Sequence, residues 1–218
     1  MKLKSILVDI IQQQQLTAFF QPIFSTNHHD IYGYEALIRG PSDSPLHNPQ
    51  ALFDAALECG LLSDLELVCR KISIARFVSL DLKGKLFLNV SPMVFLQEDH
   101  PQGATISYLA EHDLRPDQVV IELSEKYPIE SPVVLQRALM HYRNLGFQIA
   151  VDDLGAGYAG LKLWSEVNPD FVKIDRYFIN QCHQDPIKRE FIKSIIQLGR
   201  SINAQVIAEG IETEDEFE

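Results

Sequence analysis

Cysteine is scarce in this chain, and the few present form no pattern. Cys59, Cys69 and Cys182 make neither a CxxC pair nor a zinc-ligand spacing, and an odd count does not suggest a disulfide framework. A reduced, cytoplasmic setting is therefore expected. Positive charge is short as well: 19 Lys and Arg stand against 30 Asp and Glu, a formal net charge of −11. That balance argues against a nucleic-acid groove, so no DNA binding is expected, and an anionic substrate would need bound cations to supply the positive field. The N-terminus lacks the apolar core and cleavage site of a signal peptide. No run of about 18 apolar residues could span a membrane, although a longer parent protein could still be membrane-attached. Histidines are scattered, and His28 and His29 fall in a polar link where they read as solvated. The single tryptophan, Trp164, lies on an amphipathic turn and reads as packing.

Apolar residues are not short. They make up 46% of 218 residues, ample for the core of one large domain or two small ones. Residues 2–15 read as a short amphipathic helix, and 18–24 and 31–38 as strands. The polar segment Ser25 to Asp30 between those strands favours an antiparallel hairpin. Helix and strand then alternate. Asn48 caps a helix with Pro49 at its first position and Gly60 at its end. Ser63 and Glu66 have capping-box spacing for a second helix, with Leu65, Val68, Ile72 and Ala75 on one face. Strands are expected at 85–90, 119–123, around Asp152, at 171–174 and at 205–208. Helices are expected near 104–111, from Ser131-Pro132 to about 144, near 161–166, and from Asp185-Pro186 through Arg200. The last six of the seven strands follow β/α alternation without a linker, which predicts one domain over 1–218 built on a parallel sheet. A barrel is the first expectation at this length. An open doubly wound sheet is second, because no glycine-rich phosphate fingerprint follows the first strand.

The expected strand ends carry the chemistry, because a barrel gathers its reactive groups there. In Ile149-Ala150-Val151-Asp152-Asp153-Leu154-Gly155-Ala156-Gly157 an apolar strand stops in two carboxylates and a glycine-rich turn. Neighbours on a strand face opposite ways, so both reach one site only where the strand frays into its loop. Two adjacent carboxylates there suit a pair of divalent cations. They suit equally a turn in which Asp bonds nearby backbone amides. The other strands tip the balance, since Glu35, Asn89, Glu122, Lys173 and Glu209 occupy corresponding places in apolar frames. Oxygen donors without a His or Cys cluster favour Mg²⁺ or Mn²⁺ over Zn²⁺.

Several separated motifs carry a resemblance over nearly the whole chain. They are Gln21-Pro22-Ile23, Glu35-Ala36-Leu37 with Ile38-Arg39-Gly40, Asn89-Val90-Ser91-Pro92, Glu122-Leu123-Ser124-Glu125, Asp152 to Tyr158, Lys173-Ile174-Asp175 and Ala208-Glu209-Gly210-Ile211-Glu212. In this order they resemble the EAL domain family, the cyclic di-GMP phosphodiesterases. The resemblance implies a TIM-like (β/α) barrel whose first strand is antiparallel, and two-metal hydrolysis of cyclic di-GMP to linear pGpG. It assigns Glu35, Asn89, Glu122 and Asp152 to one Mg²⁺ or Mn²⁺, and Asp152, Asp153 and Glu209 to the second. Lys173 would contact the attacking water, and Glu125 would anchor the loop after the fifth strand. Gln21, Leu37, Arg39 and Asp175 match positions that touch the dinucleotide. A homodimer and further signalling domains in a longer parent protein are also implied.

Two departures are visible. Ala156 stands in that loop where the family more often has Thr, and a counterpart of the family's eighth strand does not appear before Glu218. They keep a second function in view, that of a cyclic di-GMP receptor with little or no turnover. The acidic segment Glu212 to Glu218 reads as a helix start with no assigned function.

Overall fold

The computed structural model describes residues 2–27, 30–96, 103–124, 132–154 and 160–217. They fall into two compact units: Met1–Leu88 with Gln97–Val120, and Asn89–Leu96 with Ile121–Glu218.

The first unit begins with helix α1 (Lys2–Gln12), which buries Leu7 and Ile10. It stops three residues short of the expected end, where Gln14 takes a left-handed φ of 52°. Strands β1 (Thr17–Phe24) and β2 (Ile31–Arg39) pair antiparallel, as the short polar link predicts. Helix α2 (Pro49–Cys59) starts where expected: the Asn48 side chain accepts from the Gln50 amide at 2.8 Å, and Gly60 ends it at φ 70°. Helix α3 (Leu62–Ser79) corrects two expectations. It begins two residues earlier than a Ser63 cap would allow, and Leu61 in the cap position makes no side-chain cap bond. Its buried face is Leu62, Leu65, Glu66, Cys69, Arg70, Ser73, Ile74 and Phe77, rather than the stripe through Val68, Ile72 and Ala75.

Reading by apolar identity misses this face because two of its members are charged. Arg70 is accommodated there by donating to the Glu66 carbonyl at 3.3 Å and, across to α4 (Ala104–Ala110), to the Thr105 hydroxyl at 3.0 Å. Burial also pushes the Cys69 thiol far above the ordinary range. Phe77 packs edge-on against Phe20 of β1 and Tyr34 of β2, with ring centroids 5.9 and 6.2 Å apart. Strand β3 (Lys85–Asn89) then runs parallel to β2, with Glu35 beside Phe87.

After β4 (Val119–Ser124), the second unit contains α5 (Pro132–Asn144), β5 (Gln148–Leu154), α6 (Gly160–Val167), β6 (Phe171–Ile174) and α7 (Arg176–Ile179). It continues with α8 (Pro186–Ser201), β7 (Gln205–Ala208) and α9 (Glu214–Phe217). As expected, Asp185 caps α8, its carboxylate accepting from the Ile187 and Lys188 amides. β5, β6 and β7 are parallel, and β6 is buried at every position, as a central strand of a parallel sheet must be. Asp170 aligns their starts. Its amide donates to Ile149 O, its carboxylate accepts from Ile149 N, and its carbonyl accepts from Gln205 N, each at 2.8 Å. Trp164 packs as expected, 2% exposed among Leu154, Val172, Ile174, Ile179 and Ile195.

The strands follow the hydrogen-bonded order β1-β2-β3-β4-β5-β6-β7. With β1 antiparallel and helices between the later strands, this is the order of a TIM-like barrel, with seven strands among the described residues. Among them, no helix is long and apolar enough to cross a membrane.

Candidate active site

Asp152 and Asp153 lie in a β-bulge. The pairing of β5 with β6 is Val151↔Val172 and then Leu154↔Ile174, so Asp152 and Asp153 together oppose Lys173 alone. The extra residue is accommodated by Asp153, whose φ of 57° is left-handed, a region Asp tolerates better than most residues. The alternation of a regular strand is thereby broken, and both carboxylates meet Glu209 at the exit of β7. One ligand oxygen from each of Asp152, Asp153 and Glu209 lies within 4.8 Å of the others. Part of the alternative turn reading is also present, since Asp152 Oδ1 accepts from the Asp153 amide at 2.9 Å.

Lys173 is the second half of the site. It points from the centre of β6 and is 1% exposed. Its Nζ lies 3.0 Å from Glu122 Oε1, 3.0 Å from Asp152 Oδ1 and 2.8 Å from Glu209 Oε1. Glu122, fully buried on β4, is thus brought to the same ammonium as groups from β5 and β7. Buried carboxylates require such compensation, and here one cation serves several of them. Three carboxylates around one ammonium, with Asp153 beside two of them, leave a surplus of negative charge. All the donors are hard oxygens, which fits a hard divalent cation rather than a thiolate or imidazole metal.

The remaining expected residues fall as follows. Asn89 ends β3 with its side chain exposed, and the next amide, Val90 N, donates to Glu122 O at 2.9 Å. Glu35 is half-buried on β2, paired in register with Gln21 of β1. Leu37 is opposite Phe19, and Arg39 opposite Thr17, with Arg39 Nη1 donating to its neighbour Ile38 O at 2.8 Å. The Asp175 carboxylate caps α7, accepting from the Tyr177 amide at 2.7 Å. Glu125, Ala156 and the rest of loop 155–159 lie outside the described residues, as do His28 and His29.

One functional candidate escaped the sequence reading. Glu216 joins α9 to the turn after α7, its Oε1 accepting from the Gln181 amide at 2.8 Å. A signal was available, because Thr213-Glu214-Asp215-Glu216 has capping-box spacing. Thr213 N donates to Glu216 Oε2 at 3.1 Å, and Glu216 N donates to Thr213 Oγ1 at 3.3 Å. The bond to Gln181 holds the Glu216 carboxyl down at about 2, with a further contribution from the Glu212 amide.

Comparison with known proteins places these features in a family. The oxygen sensor protein DosP of Escherichia coli (strain K12) is 26% identical over 220 residues, 97% of this chain and 27% of that protein. A probable cyclic di-GMP phosphodiesterase of the same strain, PdeB, is 27% identical over 97% of this chain and 41% of its own length. The chain therefore spans less than half the length of these curated relatives. Among solved structures, Klebsiella pneumoniae BlrP1 in its calcium and cyclic di-GMP complex matches with a TM-score of 0.84 and 29% identity. That match covers 94% of this chain and 51% of BlrP1, and it bears out the barrel fold class. The EAL domain pattern itself matches residues 4–218, and the chain belongs to the EAL domain family.

Proposed function

We propose that this chain hydrolyses cyclic di-GMP to linear pGpG, using two Mg²⁺ or Mn²⁺ ions. The observation that carries the reading is the bulge at Asp152 and Asp153, which sets two adjacent carboxylates beside Glu209 and Lys173. Family membership supports the substrate, since relatives are named as probable cyclic di-GMP phosphodiesterases and BlrP1 is known with manganese and cyclic di-GMP. Asp152, Asp153 and Glu209 would hold one cation. By the family resemblance Glu35, Asn89, Glu122 and Asp152 would hold the other, with Asp152 shared. When bound, the cations supply Lewis acidity and screen the phosphodiester from an acidic chain.

The chain's own residues do the rest. Lys173 Nζ, held by three carboxylates and shielded from solvent, would keep a fixed positive charge near where negative charge develops on the phosphoryl oxygens. Glu122 and Glu209 orient it from either side. Gln21, Leu37, Arg39 and Asp175 would position the dinucleotide, and Glu125 would anchor the loop after β5. A homodimer belongs to the same reading, and α8 supports it by leaving Ile187, Phe191 and Leu198 exposed. So does a cytoplasmic setting, within a longer signalling protein of which 1–218 is a single EAL domain.

The test is incubation with cyclic di-GMP and Mn²⁺, followed by chromatography of the product. Appearance of pGpG supports the reading. Binding without product would make the chain a receptor, and neither binding nor product would overturn both.

A further inference from the structure

We propose that Glu216 is a positioning residue for Glu209: its carboxylate ties the segment leaving β7 to the turn after α7, and so sets where Glu209 lies against Lys173. What Glu209 does chemically rests on the function proposed above, but the tie itself does not.

A capping box is a local device, joining residues three apart. Glu216 goes further, because its second oxygen serves no residue of its own helix. Oε2 accepts from the Glu212 and Thr213 amides at 2.9 and 3.1 Å, while Oε1 crosses to the Gln181 amide at 2.8 Å. Gln181 takes a left-handed φ of 57° at the entrance to the Cys182–Gln184 turn.

Other contacts join the same two segments. Arg176 Nη2 lies 2.7 Å from Glu212 Oε1, and the Cys182 thiol donates to Glu216 O at 3.9 Å. Gly210, with φ 71°, lies so close to Arg176 that a Cβ there would come within 2.5 Å of its Cγ. The segment from Gly210 to Glu216 is therefore laid along Arg176 to Cys182. These are the continuations of β7 and β6. Lys173 lies three residues before Arg176, and Glu209 lies directly before Gly210. The ladder between the strands ends with Glu209 N donating to Ile174 O at 3.1 Å. Beyond that bond, these ties and the Lys173–Glu209 ion pair join the exit of β7 to β6 among the described residues. The titratable groups around the Glu216 carboxylate are Cys182 and His183 on the turn, and Glu212, Glu214 and Asp215 on its own segment. His183 lies 4.0 Å from Asp215, and Arg176 is engaged by Glu212.

The experiment compares Glu216→Ala, Glu216→Gln and Thr213→Val in the full chain, by amide hydrogen exchange without metal and by Mn²⁺ binding followed by electron paramagnetic resonance. The expected result for Glu216→Ala is faster exchange at Gln181 and from Glu209 through Thr213, with Mn²⁺ affinity weakened on the order of 10-fold, as for loss of an outer-shell partner. Glu216→Gln keeps one acceptor oxygen and should fall between. Thr213→Val weakens only the capping box, and should leave exchange at Gln181 and Glu209 unchanged. Turnover of Glu216→Ala should show lower kcat with KM little changed. The proposal is overturned if exchange rises only within α9 while Glu209 and Mn²⁺ affinity are unaffected. Should wild type bind no Mn²⁺, the phosphodiesterase reading fails, and exchange at Glu209 and Gly210 alone decides the tie. Should Glu216→Ala not fold, Glu216→Gln against Thr213→Val decides it by the same criterion.

Discussion

The ammonium of Lys173 lies 2.8 Å from Glu209 Oε1, joining the centre of β6 to the exit of β7. The two strands are parallel and in register, with Lys173 opposite Ile207 and Ile174 opposite Ala208. Because Lys173 also meets Glu122 and Asp152, one buried charge gathers carboxylates from β4, β5 and β7. Several tests follow from that arrangement.

Lys173→Met should be costly in two ways. It removes the charge shared by Glu122, Asp152 and Glu209, and breaking a buried pair of this kind costs about 3–5 kcal/mol. Urea unfolding without metal measures that loss. Turnover should fall roughly 10²–10³-fold, as when one preorganised donor is removed. Mn²⁺ should raise the unfolding midpoint of the variant more than that of wild type, because cations substitute for the missing charge. An undiminished midpoint would show that the lysine does not balance the site.

The two halves of the bulge should respond differently. Asp152→Asn should abolish hydrolysis, since the carboxylate proposed to serve both cations is gone, while dinucleotide binding through Arg39 and its neighbours persists. Asp153→Asn keeps a residue that tolerates φ 57° and should change stability little while weakening metal binding. Asp153→Val forces a β-branched side chain into that conformation and should cost about 1–3 kcal/mol. Equal melting of the Asn and Val variants would refute the bulge argument.

Calcium should inhibit where Mg²⁺ and Mn²⁺ support turnover. Its longer bonds and higher coordination number should misplace the attacking water and activate it poorly. Initial rates in the three metals decide this, and equal rates with Ca²⁺ would count against the two-metal reading.

Acid should loosen the tie at Glu216 specifically. Its carboxyl is lowered from 4.5 to about 2, chiefly by the Gln181 and Glu212 amides. A depressed carboxyl contributes stability that is complete above its unfolded value. The contribution is lost as pH falls from 4.5 toward 2. Wild type should therefore lose more stability than Glu216→Gln between roughly pH 5 and pH 3. Parallel melting curves across that window would contradict the assignment.

Much of this was legible in the sequence because its causes are local. Asn48, Gly60 and Asp185 mark helix ends by hydrogen bonds within a few residues, and the structure has those ends where the residues predict them. The antiparallel β1–β2 pair follows from a link too short for a crossover. The apolar runs of β4, β5 and β6 announce strands buried on both faces, and a carboxylate in such a run is costly enough to mark itself.

What the sequence alone determined was the order of elements and the residue types available at the strand ends. Tertiary structure decided which of them meet. The α3 face was misread because Arg70 is stabilised by Thr105, far along the chain, and apolar identity carries no trace of that partner. Asp152 and Asp153 converge through a register shift against β6, a property of two strands together and of neither alone. Lys173 meets Glu122, Asp152 and Glu209 from three other strands, and Asp170 bonds the starts of β5 and β7 to that of β6. The second oxygen of Glu216 finds Gln181 only in the folded chain, whereas its capping partner Thr213 is written three residues away. Local bonds can be read from spacing, but the partner of a buried charge is chosen by packing, and packing exists only once the strands are in register.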